Sequence, residues 1–313
     1  MKDTSPPATR PMATADWAQL LLLGALWGGS FFFARIAVAE IEPLTLVFYR
    51  VLIAAAALHL WLIARGTSFR LALPHAGSFL LLALLNNVIP FSLLFSGQTV
   101  IGAGLAAVLN ATTPFWTIVA ANFLTSDEKI TPSRLGGILL GVVGTAVMVG
   151  PGALTGLGAP VWAQLCVLGA SITYGLAVIF ARRFRALPSD VVATGQLTAS
   201  AVIMALVVGL GASGIGAASP AAWSSVAALG LLSTALAYIL YFNLVASAGA
   251  TNTSLVTLIV PVSAILLGVL FLGESLDIYE LIGMALIGLG LVTIDGRIFR
   301  SRTRRTVDST GKH

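Results

Sequence analysis

Apolar runs long enough to cross a hydrocarbon core, roughly 20 residues, recur along the chain. They cover 17–38, 44–64, 76–96, 103–124 and 135–150, then 160–181, 191–211, 222–246, 253–272 and 279–296. The pattern predicts ten transmembrane helices. Turn-forming stretches such as Pro151-Gly152 and Ser213-Gly214-Ile215-Gly216 separate them, and no connection is long enough for a soluble domain. The first run has the look of a secretory signal, with Ala37-Val38-Ala39 in the place of a cleavage site. Its apolar stretch is too long for an h-region and Arg35 stands just before that site, so a retained helix is expected.

Composition agrees with lipid as the solvent. The 313 residues are 58% hydrophobic and 9% charged, with a mean hydropathy of +0.97, whereas soluble domains carry about 25% charged residues. The net charge of +5 does not signal nucleic acid, because the basic residues lie in short loops between apolar runs. There they set orientation. With an intracellular N-terminus, 15 of the 17 Lys and Arg fall inside, leaving only Arg35 and Arg50. The outer connections near 97–102, 151–159 and 212–221 carry no charge, and the one after the ninth run carries Glu274, Asp277 and Glu280. A multi-pass protein of the inner (plasma) membrane with both termini cytoplasmic is expected. Cys166 is the only cysteine, so no intramolecular disulfide can form, and it falls in an apolar run where packing explains it.

Displacing the sequence by 147 residues aligns the halves. Gly28 meets Gly175, Trp27 meets Tyr174, Ala34-Arg35 meets Ala181-Arg182, Leu84-Leu85 meets Leu231-Leu232, Phe95 meets Phe242 and Pro114 meets Pro261. The displacement then becomes 146, where Glu128 meets Glu274, Gly137 meets Gly283 and Gly144 meets Gly290. Five spans per half is an odd number, so the second half enters the membrane from the opposite face. The fold class expected is an all-α membrane protein of ten transmembrane helices in two inverted five-helix repeats, 17–150 and 160–296. A cytoplasmic tail (1–16) precedes them and a basic cytoplasmic tail (297–313) follows. Secondary transporters use this construction to exchange inward- and outward-facing shapes around a midplane site.

Leu26-Trp27-Gly28-Gly29-Ser30-Phe31 resembles the opening of EamA-type proteins of the drug/metabolite transporter superfamily. So do Asp127-Glu128-Lys129-Ile130-Thr131 leading to Gly137, and Leu272-Gly273-Glu274-Ser275-Leu276 leading to Gly283, with Pro114 and Pro261 before them. The likeness spans 17–296. It implies a ten-helix bundle that exports or exchanges small metabolites such as amino acids or related amphipathic compounds. Asp127 standing where the second half has Gly273 is a departure, and it leaves the register of the first Glu open by one residue.

The twelve acidic residues all lie in tails, loops or span ends, and His59 is the one histidine placed within a span. A carboxylate proton relay is therefore not expected, and facilitated movement or exchange fits better. Arg50 is the one charge well inside a run. It either faces a cavity and pairs with a substrate carboxylate, snorkels to lipid, or braces a helix carbonyl. Snorkelling is the reading favoured for Arg35. Asn86, Asn87 and Asn110 either line a cavity or join helices. Trp27, Trp116, Tyr174 and Tyr238 are candidate aromatic lining, the alternative being ordinary placement at lipid faces. Pro90, Pro114 and Pro261 are candidate kinks. The latter two release the carbonyls of Asn110 and Thr257, which makes the fourth and ninth spans candidate cavity walls. Gly24-xxx-Gly28, Ser171-xxx-Gly175 and Gly137-xxx-Gly141 allow close helix approach.

The partners expected are a small-molecule substrate and the bilayer, with no nucleic acid, no metal and no cofactor. No G-x-S-x-G, H-E-x-x-H or P-loop pattern occurs, and Ser30 and His59 sit at unequal depths, so an intramembrane enzyme is not expected. A channel-like facilitator, or an importer of a sugar or nucleoside, is the rival reading.

Overall fold

A computed structural model describes residues 12–126, 130–149, 159–210 and 218–295. Among them are ten apolar helical segments. They are α1 (Thr14–Ala37), α2 (Pro43–Arg65), α3 (Phe69–Gln98), α4 (Ala103–Leu124) and α5 (Pro132–Val149), then α6 (Ala159–Ala181), α7 (Ser189–Leu210), α8 (Pro220–Ala248), α9 (Val256–Leu272) and α10 (Ile278–Asp295). No strand occurs among the described residues. Two ends move relative to the hydropathy pattern: α3 starts with a 3₁₀ turn at Phe69–His75, and a short helix, Ala250–Thr253, precedes α9. Asp127, Glu128 and Lys129, the connections at 150–158 and 211–217, and both tails lie outside the described residues.

The small residues of the repeat set the helix crossings. A Cβ at Gly28 would lie 2.7 Å from Ser263 Cβ on α9, and one at Gly175 would lie 2.9 Å from the Thr117 nitrogen on α4. Residues 263 and 116 are repeat counterparts, so α1 packs on α9 as α6 packs on α4. Gly24 meets Ile259 in the same seam, and the Ser171 hydroxyl donates to the Leu109 carbonyl at 3.3 Å.

The α5–α10 crossing is fully reciprocal. A Cβ at Gly144 would stand 2.8 Å from the Gly283 oxygen, and one at Gly283 would stand 2.6 Å from the Gly144 oxygen. Gly137 and Gly290 repeat the arrangement at 2.7 and 2.6 Å. Without side chains the two backbones approach closely, where dispersion and weak hydrogen bonding replace the hydrophobic effect that lipid does not supply. Gly141 serves the same crossing, its nitrogen 3.1 Å from a Cβ placed at Gly290, and it also makes room for the Phe115 ring of α4.

Both halves carry a π-helical segment at the same register, Leu84–Val88 in α3 and Leu231–Leu236 in α8. Pro90 follows the first, at the start of the α-helix Ile89–Gln98, but its counterpart in α8 is Ala237, so proline is not the common cause. In α8 the Thr234 hydroxyl donates to the Leu229 carbonyl at 2.7 Å, a bond five residues back that fits the widened turn.

The prolines of α4 and α9 act less alike than their alignment implies. In α4 the helix stops at Asn110 and restarts at Thr113. Pro114 occupies the first turn of the new helix, where its missing N–H costs nothing. The Asn110 carbonyl is not left open, because the Thr113 hydroxyl donates to it at 2.7 Å. In the second half the break comes between Thr253 and Val256, and Pro261 lies inside α9.

On the face opposite the N-terminus, charged side chains close the helix ends. Arg35 does not snorkel. Its guanidinium donates to the Gln98 and Thr99 carbonyls at 2.6 and 3.0 Å, the end of α3 where carbonyls have no intrahelical donor. Gly273, at φ +66°, turns the chain after α9, and Glu274 comes back over α4. Its carboxylate accepts from the Ala103 and Gly104 nitrogens at 2.7 and 3.1 Å. Gly102, Gly104 and Gly268 leave the space it occupies. Glu274 thus ties the second half to the first helix turn of α4.

The reciprocal crossing predicts that Gly144→Ala lowers the thermal unfolding midpoint in detergent, by an amount corresponding to about 1–3 kcal/mol of overpacking. Gly136→Ala, on the same helix with nothing within 4 Å, is expected to leave it unchanged or slightly raised.

Candidate substrate-binding site

Arg50 lies two turns into α2, 5% exposed. Among the described residues it neither snorkels nor braces a carbonyl. The guanidinium carbon stands 3.8 Å from the centroid of the Phe91 ring and 5.5 Å from that of Phe95. Nε donates to the Thr234 hydroxyl at 3.0 Å. Because that hydroxyl spends its own proton on Leu229, its oxygen is left to accept. The π-segment of α8 therefore positions the acceptor, and α3 supplies the aromatic platform. Tyr174 and Tyr238 lie within electrostatic reach of the guanidinium, and Tyr174 meets the Phe91 ring edge-on at 6.5 Å.

A second cluster adjoins it. Asn86, on the π-segment of α3, donates its amide to Gln196 Oε1 at 2.9 Å and to the Tyr238 hydroxyl at 3.2 Å. Tyr238 stacks on Phe242, which meets Tyr241, which packs on Trp27. Arg50, Asn86, Tyr174 and Tyr238 thus share one region, and Trp27 joins it through the aromatic chain. Asn87 is fully buried, and neither end of its amide finds a partner among the described residues. The same holds for the Ser233 hydroxyl. Such groups cost free energy unless a ligand or water reaches them. Asn110 sits at the break in α4 with Oδ1 also unpartnered. Trp116 donates to Thr112 at 3.3 Å and fills the α4–α6 crossing beside Gly175.

A cleft of about 270 Å³ opens on the N-terminal face between α2, α7 and α8, and Tyr238 and Phe242 line its inner part. A second cleft, of about 700 Å³, opens on the opposite face and is lined by Arg35, Glu40, Gly102, Leu105, Leu272 and Glu274. Of the repeat counterparts of the first cleft's lining, Ile41, Leu46, Phe91 and Phe95 are buried and Glu42 is exposed.

Thr234, Gln196 and Phe91 were not singled out by residue type. The repeat carries the signal for two of them, since 147 residues separate Asn87 from Thr234 and Phe91 from Tyr238. His59 contacts the Thr198 hydroxyl at 3.0 Å and the Phe69 ring.

On the face opposite the N-terminus, Glu40 accepts from the Ser219 nitrogen and hydroxyl at 2.7 and 2.6 Å, at the start of α8. These bonds hold its carboxyl below the usual 4.5. A depressed carboxylate pKa adds stability above the unfolded value and loses it as pH falls through the folded one. Thermal unfolding midpoints taken from neutral pH to below pH 4.5 are expected to fall less steeply for Glu40→Gln than for the parent protein.

The EamA-like transporter family model matches residues 17–150 and again 161–294. The chain is 27% identical over 273 residues to the uncharacterized transporter YoaV of Bacillus subtilis, covering 85% of this chain and 91% of that one. It is 25% identical over 287 residues to the uncharacterized inner membrane transporter YedA of Escherichia coli K12, covering 90% and 92%. A solved crystal structure aligns over 90% of this chain and 98% of its own at a TM-score of 0.64 and 21% identity, a likeness of fold. With the family repeat present twice, in ten helices arranged as two inverted halves, this chain belongs to the EamA-like transporter family.

Proposed function

We propose that the protein exports or exchanges small metabolites bearing a carboxylate, amino acids or related amphipathic compounds, around a site centred on Arg50. The observation that carries this reading is the state of Arg50. It is a buried cation whose only hydrogen bond among the described residues goes to a neutral hydroxyl. An unpaired charge in a membrane interior is expensive, and Phe91 offsets only part of that cost. A substrate carboxylate would supply the missing partner through the free edge of the guanidinium. The aromatic groups around it suit the apolar part of such a molecule.

Alternating access of the inverted halves is supported by the inverted repeat itself and by a cleft that reaches Tyr238 from the N-terminal face. With the positive-inside distribution of Lys and Arg, that face is the cytoplasmic one, and both termini lie there. The carboxylates at Glu40 and Glu274 are committed to helix ends, which favours exchange or facilitated movement over a carboxylate proton relay.

Uptake into proteoliposomes of neutral, aromatic and acidic amino acids, nucleosides and sugars tests the reading. Arg50→Ala is expected to reduce the rate for carboxylate-bearing solutes about tenfold or more, the loss of one charged hydrogen-bonding partner. Thr234→Val, which keeps the cation, should retain part of the activity. Transport confined to sugars or nucleosides would overturn the reading, as would equal loss for all solutes in an Arg50→Ala protein of unchanged unfolding midpoint. Saturable counterflow is the expected signature of a carrier, and its absence that of a channel.

A further inference from the structure

The cleft on the N-terminal face carries more chemistry than a passage needs. Arg65, the last residue of α2, and Asp190, the second of α7, both line it. No ion pair joins them in this arrangement. Arg65 extends over the Trp61 ring at 5.5 Å, and one oxygen of Asp190 accepts from the Val191 nitrogen at 2.9 Å. A cation and an anion thus line one small cavity, together with the aromatic residues Trp61 and Phe242. Its volume of about 270 Å³ is below the ~300–1,000 Å³ typical of drug-sized sites, which suits a small metabolite. Its inner wall, Tyr238, is the residue whose hydroxyl accepts from Asn86, so the cleft ends where the Arg50 region begins. The repeat counterparts of Arg65 and Asp190 are Ala212 and Pro43, so the charge pair belongs to one face only.

We propose that this cleft is a separate loading site for zwitterions. Arg65 takes the carboxylate, Asp190 takes the ammonium, and the apolar side chain lies against Trp61 and Phe242. The molecule then passes Tyr238 to reach Arg50. The route, though not the loading site itself, rests on the carrier reading above. A purely structural role for the same charges, Arg65 setting orientation and Asp190 favouring the start of α7, predicts no dependence on ligand charge.

The test is protection of a thiol at the cleft mouth. Ser189, exposed and lining the cleft, is replaced in a Ser189→Cys, Cys166→Ser protein. Labelling by a charged maleimide is followed with phenylalanine, phenethylamine or phenylpropionate present. Phenylalanine is expected to protect. Its half-protecting concentration should rise about fivefold in Arg65→Ala and in Asp190→Asn, the scale of an exposed charge contact, and stay unchanged in Arg65→Lys and Arg50→Ala. Protection by phenethylamine should ignore Arg65→Ala, and protection by phenylpropionate should ignore Asp190→Asn. If protection disappears with Arg50→Ala but survives both cleft variants, the cleft is a passage and the proposal falls. Protection without any transport of phenylalanine would sink the carrier reading for this solute and leave the loading site standing. Transport with protection indifferent to both cleft variants would do the reverse.

Discussion

Inside a bilayer no water is at hand for a backbone N–H or C=O released from a helix, so each interruption needs its own replacement partner. The described breaks follow that constraint with side chains already nearby. Glu274 closes the start of α4 with both carboxylate oxygens, and Arg35 closes the end of α3. Thr113 takes the Asn110 carbonyl where α4 breaks. Thr234 takes the Leu229 carbonyl inside the π-segment of α8. The last of these also faces Arg50, so the bond that satisfies a distorted helix is the one that orients the acceptor for a buried cation. Structure and candidate chemistry meet in a single hydroxyl.

The two halves share a frame and fill it differently. Arg50 has Leu197 as its counterpart, Phe91 has Tyr238, and Asn87 has Thr234. The result is a region with a cationic pole resting on phenyl rings and an amide pole made by Asn86, Gln196 and Tyr238. Perfect symmetry would have given two identical poles. The divergence gives a bundle built from equivalent halves an oriented interior.

Spans, repeat and inverted construction were legible because each rests on long-range periodicity. Twenty apolar residues in a row, or a constant displacement of 147, survive many local substitutions. Arg50 was legible for a related reason, since a charge in an apolar run stands out against its background. Its partners were not. Thr234 and Gln196 belong to a residue class that occurs throughout membrane helices, and only three-dimensional placement distinguishes a ligand from a helix-joining group. The proline positions were readable but their consequences were not, because a proline can open a new helix, as Pro114 does, or sit inside one, as Pro261 does. Arg35 reads as a snorkelling residue in the sequence because the carbonyls it caps are more than sixty positions away.

The reciprocal glycines of α5 and α10 have a consequence for the origin of the chain. An interface in which Gly137 meets Gly290, the counterpart of Gly144, and Gly144 meets Gly283, the counterpart of Gly137, uses one surface twice. It is the isologous geometry of a two-fold dimer, written within one polypeptide. A five-helix ancestor inserted in both orientations would find in its own inverted copy the partner that α5 finds in α10. Fusion into one chain would then have freed each copy to mutate alone, and an arginine could arise at one position without its twin.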